Sequence, residues 1–183
     1  MTKILAVDDN RDSLYYLESL LIPRGYDIAT ANDGAQALAR LGSERFDLII
    51  SDVLMPVMDG FLFCRHCQKN EELRKIPFIF FTATYSDDLD EDLGLKLGAT
   101  RFVKKPIEPE AFLRIIEDVL SGAIKAKVPL EITETDDEEI QRLYSESLIR
   151  KLEEKNLSLA REISERKKTE EALKVSEQSF KAI

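Results

Sequence analysis

Phe46-Asp47-Leu48-Ile49-Ile50-Ser51-Asp52 is the stretch that decides the fold. Its apolar run is short, bounded by turn residues, and stops at a carboxylate, as a strand covered on both faces should. Similar runs lie on either side of it. Ile4-Leu5-Ala6-Val7 and Tyr26-Asp27-Ile28-Ala29 precede it; Pro77-Phe78-Ile79-Phe80-Phe81 and Arg101-Phe102-Val103 follow. Each is bounded by Gly, Pro, Asp or Ser. Between them the apolar residues take helical spacing: Leu14, Leu17, Leu20 and Leu21; Ala35, Leu38 and Leu41; Phe61, Cys64 and Cys67; Leu89, Leu93 and Leu97; Phe112, Ile115, Ile116 and Val119. Five strands, each followed by a helix, imply an α/β fold with a parallel sheet, helices on both faces and right-handed crossovers. The first, third and fourth runs are the most continuously apolar and are expected in the centre of the sheet.

The whole chain has 183 residues, 44% of them apolar, enough for one sizeable domain and an accessory segment. Its formal net charge of -9 argues against a direct nucleic-acid binder, which needs a basic face to neutralise phosphates. The four apolar residues after Met1-Thr2-Lys3 are too few for a signal-peptide core. No apolar run approaches the ~20 residues of a membrane span. The reading is a soluble, cytoplasmic chain. Cys64 and Cys67, with His66 between them, have Cys-x-x-Cys spacing. They share a helical face with Phe61, however, and read as small core hydrophobes rather than a redox or metal pair. His66 points outward and is assigned no role.

After Gly122 the texture changes. Residues 1–121 read as one domain, residues 122–134, with Pro129, as a linker, and residues 135–183 as a long helix free of Gly and Pro. Thr135-Asp136-Asp137-Glu138 has capping-box spacing at its start. The last 62 residues hold 14 acids and 12 bases, so -7 of the net charge belongs to the first 121.

In an open parallel sheet, ligands bind outside the carboxyl ends of the strands. The first strand delivers Asp8 and Asp9 there, the third Asp52, the fourth Thr82, and the fifth Lys105 followed by Pro106. Asp and Thr taken singly are common helix N-caps. Three clustered carboxylates, by contrast, repel one another unless a cation joins them. A hard divalent ion such as magnesium suits the set. A carboxylate beside it can attack phosphorus, and a cation and a hydroxyl can hold the equatorial oxygens.

These residues carry a resemblance. Asp8-Asp9, Asp52 within Ser51-Asp52-Val53-Leu54-Met55-Pro56-Val57-Met58-Asp59-Gly60, Thr82-Ala83, and Lys105-Pro106 three residues after Phe102 make residues 1–121 similar to the receiver domain of two-component response regulators. The resemblance implies a flavodoxin-like, doubly wound, five-stranded parallel sheet of order 2-1-3-4-5. It implies that Asp52 accepts a phosphoryl group from a histidine kinase. Magnesium (Mg2+) would be held by Asp9, Asp52 and the Leu54 backbone carbonyl, with Asp8 acting through water. Lys105 would pair with the phosphoryl oxygens and Thr82 would hydrogen-bond to one of them. Phe102 would swing inward as Thr82 moves, and the change would pass through the fourth and fifth helices. The Lys105-Pro106 bond is expected to be cis. Many members have Tyr at the Phe102 position; Phe keeps the ring and lacks the hydroxyl. Leu54 and Thr84 stand where the family tunes phosphoryl lifetime. Neither can position an attacking water, so a persistent phosphorylated state is expected. The domain is then a switch rather than an enzyme with a substrate of its own.

Two other readings share these residues. A haloacid-dehalogenase-type phosphatase also uses an aspartyl nucleophile and magnesium, but needs Asp-x-Asp where this chain has Asp8-Asp9-Asn10. A flavodoxin-type cofactor binder needs a hydroxyl- and Gly-rich loop where Asp8 and Asp9 would repel phosphate. A dimerising scaffold that is never phosphorylated is a third possibility, at odds with the full set of five site residues.

The long helix carries a heptad register with Ile149, Asn156, Ile163, Glu170 and Glu177 at a, and Ser145, Leu152, Leu159, Arg166, Leu173 and Phe180 at d. A single Asn at a specifies parallel dimers, so a parallel coiled-coil homodimer is expected. Ile140, Tyr144 and Leu148 fit a shifted register, which hints at a stutter. Ile163 to Leu173, then Ser176 to Ile183, resembles the helix that leads into PAS sensory domains in signalling proteins. A downstream PAS or output domain, within a sensor kinase, is the expected context.

Overall fold

A computed structural model describes residues 2–82, 88–124 and 134–181. Strand β1 (Lys3–Val7) leads through helix α1 (Arg11–Leu21) to β2 (Asp27–Ala31) and α2 (Gly34–Leu41). Next come β3 (Leu48–Ser51) and α3 (Gly60–Lys69), then β4 (Phe78–Thr82), α4 (Asp88–Lys96), β5 (Arg101–Lys104) and α5 (Pro109–Leu120). A last helix, α6, runs from Glu134 to Lys181. The sheet is wholly parallel, in the order β2-β1-β3-β4-β5, as expected.

Side chains alternate across the sheet because successive residues of a strand face opposite ways. Leu5, Val7, Ile49, Phe78, Phe80 and Phe102 face the layer that α2, α3 and α4 cover. Ile4, Ala6, Leu48, Ile50, Ile79, Phe81 and Val103 face α1 and α5. Two buried layers explain why the central strands read as continuous apolar runs: neither face needs a polar residue.

The helical patterns hold with local differences. In α1, Leu14, Leu17 and Leu21 are buried. In α2 the buried line is Gly34, Ala37 and Leu41, so Ala37 takes the place expected for Ala35. Gly34 is there for closeness: a Cβ at that position would stand 2.8 Å from Met58 Cγ and Phe63 Cβ. In α3, Phe61, Cys64 and Cys67 are buried and His66 is exposed.

Most of the expected linker falls on residues 125–133, which lie outside the described residues. Helix α6 begins at Glu134, one residue before Thr135 rather than after it, and the side chains of residues 134–139 are likewise undescribed. The chain divides into two units within α6, Met1–Tyr144 and Ser145–Ile183. In the first unit, Ile140 is buried to 7% exposure, and Leu143 and Tyr144 pack on the α2–α4 layer. Ile140 and Tyr144 therefore serve the core of the first unit. Their departure from the heptad register marks a different contact surface, where the sequence pattern hinted at a coiled-coil stutter.

Candidate functional site at the carboxyl edge of the sheet

The register of the strands assembles the site. Val7 pairs with Ser51, so the next residues, Asp8 and Asp52, leave adjacent strands side by side. The Asp52 amide donates to Val7 O at 2.8 Å and the Asp8 amide to Ala31 O at 3.1 Å, fixing both backbones. Thr82 ends β4 opposite Lys104, and the Lys105 amide donates to Thr82 O at 2.8 Å. One carboxylate oxygen from each of Asp8, Asp9 and Asp52 lies within 4.8 Å of the others. Asp8 and Thr82 are buried, Asp9 is exposed and Asp52 lies between.

Lys105 is held from several sides. Its Nζ donates to Asp8 Oδ2 at 2.8 Å and to Ser13 Oγ at 3.3 Å, and lies 4.7 Å from the centroid of the Phe81 ring. Asp8 uses its other oxygen to accept from the Asn10 amide at 2.9 Å. Asn10 in turn caps α1 by accepting from Asp12 and Ser13 amides. Ser13 escaped the sequence reading. Its only signal was its place in the first turn of a helix that starts beside the acidic pair. The Lys105-Pro106 bond is cis.

Asp52 has an unusual carboxyl group. Burial pushes its pKa up to about 6, and the Asp8 carboxylate adds to the shift. The Lys105 charge, the Thr82 hydroxyl and the Val53 backbone act in the opposite sense. Its Oδ1 is out of solvent contact and has no hydrogen-bond partner. A buried carboxylate oxygen without a donor costs free energy, and a divalent cation would relieve it. The donor set is all hard oxygen, as magnesium requires. These residues therefore fit a magnesium ion.

The loop after Asp52 is tightly closed. The Gly60 amide donates to Val53 O at 2.8 Å, the Met58 amide to Pro56 O at 2.7 Å, and the Gly34 amide to Met58 O at 3.0 Å. A Cβ at Gly60 would stand 2.1 Å from Asp52 O, so no other residue fits. Val57 is 88% exposed and has φ 64°, a left-handed backbone that strains a β-branched residue. Asp59 ends the loop and caps α3, its Oδ1 accepting from the Leu62 amide at 2.9 Å. Phe102 lies inward at 9% exposure, its ring centroid 5.6 Å from that of Phe80. Thr84 lies outside the described residues. No helix among the described residues is long and apolar enough to cross a membrane.

A doubly wound parallel sheet of this order, with clustered acids at its carboxyl edge, defines a flavodoxin-like fold. More narrowly, the chain belongs to the response regulator receiver domain family, which matches residues 4–117. It is similar to protein PilH of Pseudomonas aeruginosa, 33% identical over 122 residues that cover 67% of this chain and 100% of PilH. Another relative is the alkaline phosphatase synthesis transcriptional regulatory protein PhoP of Bacillus subtilis, 38% identical over 107 residues, 58% of this chain and 43% of PhoP. The chain thus spans under half of that longer relative. Among solved structures, chemotaxis response regulator CheY4 of Vibrio cholerae is 38% identical with a TM-score of 0.60, covering 65% of this chain and 98% of CheY4. The receiver domain of a signal transduction histidine kinase from Syntrophus aciditrophicus is 35% identical with a TM-score of 0.62, covering 73% and 98%. The matched residues form a two-component phosphoacceptor switch domain.

Proposed function

We propose that Asp52 is the phosphoacceptor, with Asp8, Asp9 and the Leu54 carbonyl serving the metal and Lys105 and Thr82 serving the phosphoryl group. The observation that carries this reading is the register that sets Asp52 beside Asp8, with Oδ1 buried and free of any donor. A carboxylate oxygen of Asp52 attacks phosphorus as the nitrogen–phosphorus bond of a kinase phosphohistidine breaks. The oxygen–phosphorus bond forms and the ring nitrogen leaves with its electron pair. Magnesium, when bound, screens the negative charge gathered between Asp52 and the phosphoryl oxygens. Asp8 orients Lys105 from 2.8 Å, so the cation stands ready beside the acceptor. Thr82 offers a hydroxyl from the end of β4. A cleft of about 350 Å³ lined by Asp12, Ser13, Tyr16, Phe81, Lys105 and Ile107 opens next to the site and can admit a donor side chain.

Incubating the chain with acetyl phosphate and magnesium, then measuring intact mass, tests the assignment. One phosphoryl group should be gained, and none by Asp52→Asn. Asp8→Asn should keep the nucleophile but weaken metal binding. The phosphatase reading makes the opposite demand, that Asp8→Asn abolish turnover and Asp52→Asn spare it. An Asp52→Asn chain phosphorylated at the normal rate would overturn the reading.

The domain plan belongs to the same proposal: a cytoplasmic receiver over 1–121, a linker over 122–134, and a coiled-coil connector over 135–183 leading to a PAS or other output domain. Phosphorylation would repack Thr82, Phe102 and the fourth and fifth helices. Support for the coiled coil comes from the second unit taken alone, where Ile149, Leu152, Leu159 and Ile163 of the expected seam are 45–58% exposed. Asn156 would face its own copy in a parallel pair.

A further inference from the structure

The loop that begins at the acceptor ends at a residue that holds α6. Asp59 accepts the Leu62 amide on Oδ1 and the Tyr144 hydroxyl on Oδ2, so one carboxylate joins the start of α3 to the first turns of α6. Around that bond lies a small seat. Ile140 is buried, the Arg65 guanidinium donates to Gln141 Oε1 at 3.1 Å, and the Tyr144 ring stands edge-on to Phe61 at 6.4 Å. Phe61 meets Phe80 edge-on at 5.2 Å, and Phe80 meets Phe102 at 5.6 Å. Two physical routes therefore join the acceptor region to Tyr144. One is the seven residues from Val53 to Asp59, closed so tightly that a Cβ at Gly60 would collide with the Asp52 carbonyl. The other is a run of rings through β4, the strand that ends in Thr82. A close-packed series of this kind shifts between discrete arrangements more readily than it deforms smoothly.

Resting on Asp52 as the phosphoacceptor, we propose that the seat of α6 on α3, centred on the Asp59–Tyr144 hydrogen bond, is energetically coupled to occupancy of the Asp52 site and transmits it to the connector helix. The contact lies on the α3 side of the domain, away from α5. Coupling between two sites is reciprocal. If filling the Asp52 site alters the seat, loosening the seat must alter affinity at Asp52 by the same factor. Tyr144 and Ile140 touch neither the acceptor nor the metal-binding carboxylates, so their effect on that affinity can come only through the fold.

The test uses the full chain with beryllofluoride and magnesium, a phosphoryl mimic, titrated by calorimetry. Three proteins are compared: the parent, Tyr144→Phe, which removes one hydroxyl, and Ile140→Ala, which shrinks one buried side chain. A change in Kd of about threefold or more in both variants is expected, in the same direction, within the usual span of such couplings. Amide exchange over 140–150 should also respond to beryllofluoride in the parent and respond less in Tyr144→Phe. A parent that binds with the same Kd as both variants, and whose 140–150 exchange ignores the ligand, overturns the coupling while sparing the phosphoacceptor reading. A parent that binds no beryllofluoride overturns both.

Discussion

Asp52, the proposed acceptor, carries the carboxyl group of a buried acid. Its folded-state pKa of about 6 exceeds the 3.8 of an ordinary Asp carboxyl, chiefly through burial. The sign follows from linkage. A raised pKa favours folding fully below the unfolded value, and that contribution is lost as pH climbs through about 6. Near neutral pH the ionised carboxylate is a burden on stability. Asp52→Asn in metal-free buffer should therefore raise unfolding free energy by about 1–3 kcal/mol near neutral pH. The gain should fade as pH falls to about 3, below both pKa values, where both states hold the proton. Urea unfolding at the two pH values measures it, and an equal gain at both contradicts the account. Gly60 makes a second case. Its missing Cβ would meet backbone, Asp52 O at 2.1 Å, which cannot step aside as a flexible side chain can. Gly60→Ala should lower stability by about 2 kcal/mol or more and depress phosphoryl uptake with it. Denaturant melts with intact-mass assays check both, and a wild-type melt with wild-type uptake would refute the packing argument.

Helix α3 shows how one element separates a motif from its chemistry. Cys64 and Cys67 share the face that packs on the sheet, and both are buried. Burial pushes the Cys67 thiol up to about 12, and that of Cys64 well above its ordinary value. Reactivity belongs to the thiolate, so in the native chain neither cysteine should react with a maleimide at neutral pH within minutes, whereas both should react in urea. Rapid labelling of the folded chain, read by mass, would show that the face is open. The same helix begins at Asp59 and so carries the capping carboxylate that Tyr144 also uses. Burial and the Asp59 carboxylate push the Tyr144 phenol well above its ordinary range, so it remains a hydrogen-bond donor throughout the working pH range.

At the scale of the whole molecule, the stripe on α6 sets the expected assembly. Ile149, Leu152, Leu159 and Ile163 are each about half exposed in the single chain. Leaving such area in water costs roughly 25 cal/mol per Å². A helix of 48 residues extends about 70 Å at 1.5 Å per residue, more than a small domain can cover, whereas its twin can cover it throughout. The full chain should sediment as a dimer at tens of micromolar. Leu152→Glu together with Leu159→Glu should convert it to a monomer with its phosphoryl uptake intact. A wild-type monomer at that concentration, or a double variant that still dimerises, would reject the coiled coil.

How much was legible beforehand depended on whether a feature was local. The order of strands and helices, the residues at each strand's carboxyl end, and the inward Cys64 and Cys67 all follow from period-two and period-3.6 patterning, which one segment displays by itself. The heptad spacing along α6, on which the proposed seam rests, is local in the same way. What only tertiary structure decided are pairings between residues far apart in the chain. Lys105 turns to Asp8 and Ser13 because parallel register brings β5 and the start of α1 to one edge. Ala37 replaces Ala35 on the buried line because Met58 and Phe63 press on Gly34 and set how α2 lies against the sheet. Ile140 and Tyr144 look like misplaced heptad residues until the fold buries Ile140 in the core layer and supplies Phe61 and Asp59 as partners of Tyr144. A sequence pattern shows which side of a helix is apolar; only the folded chain shows what that side meets, because the partner lies some 80 residues away and is placed there by the sheet.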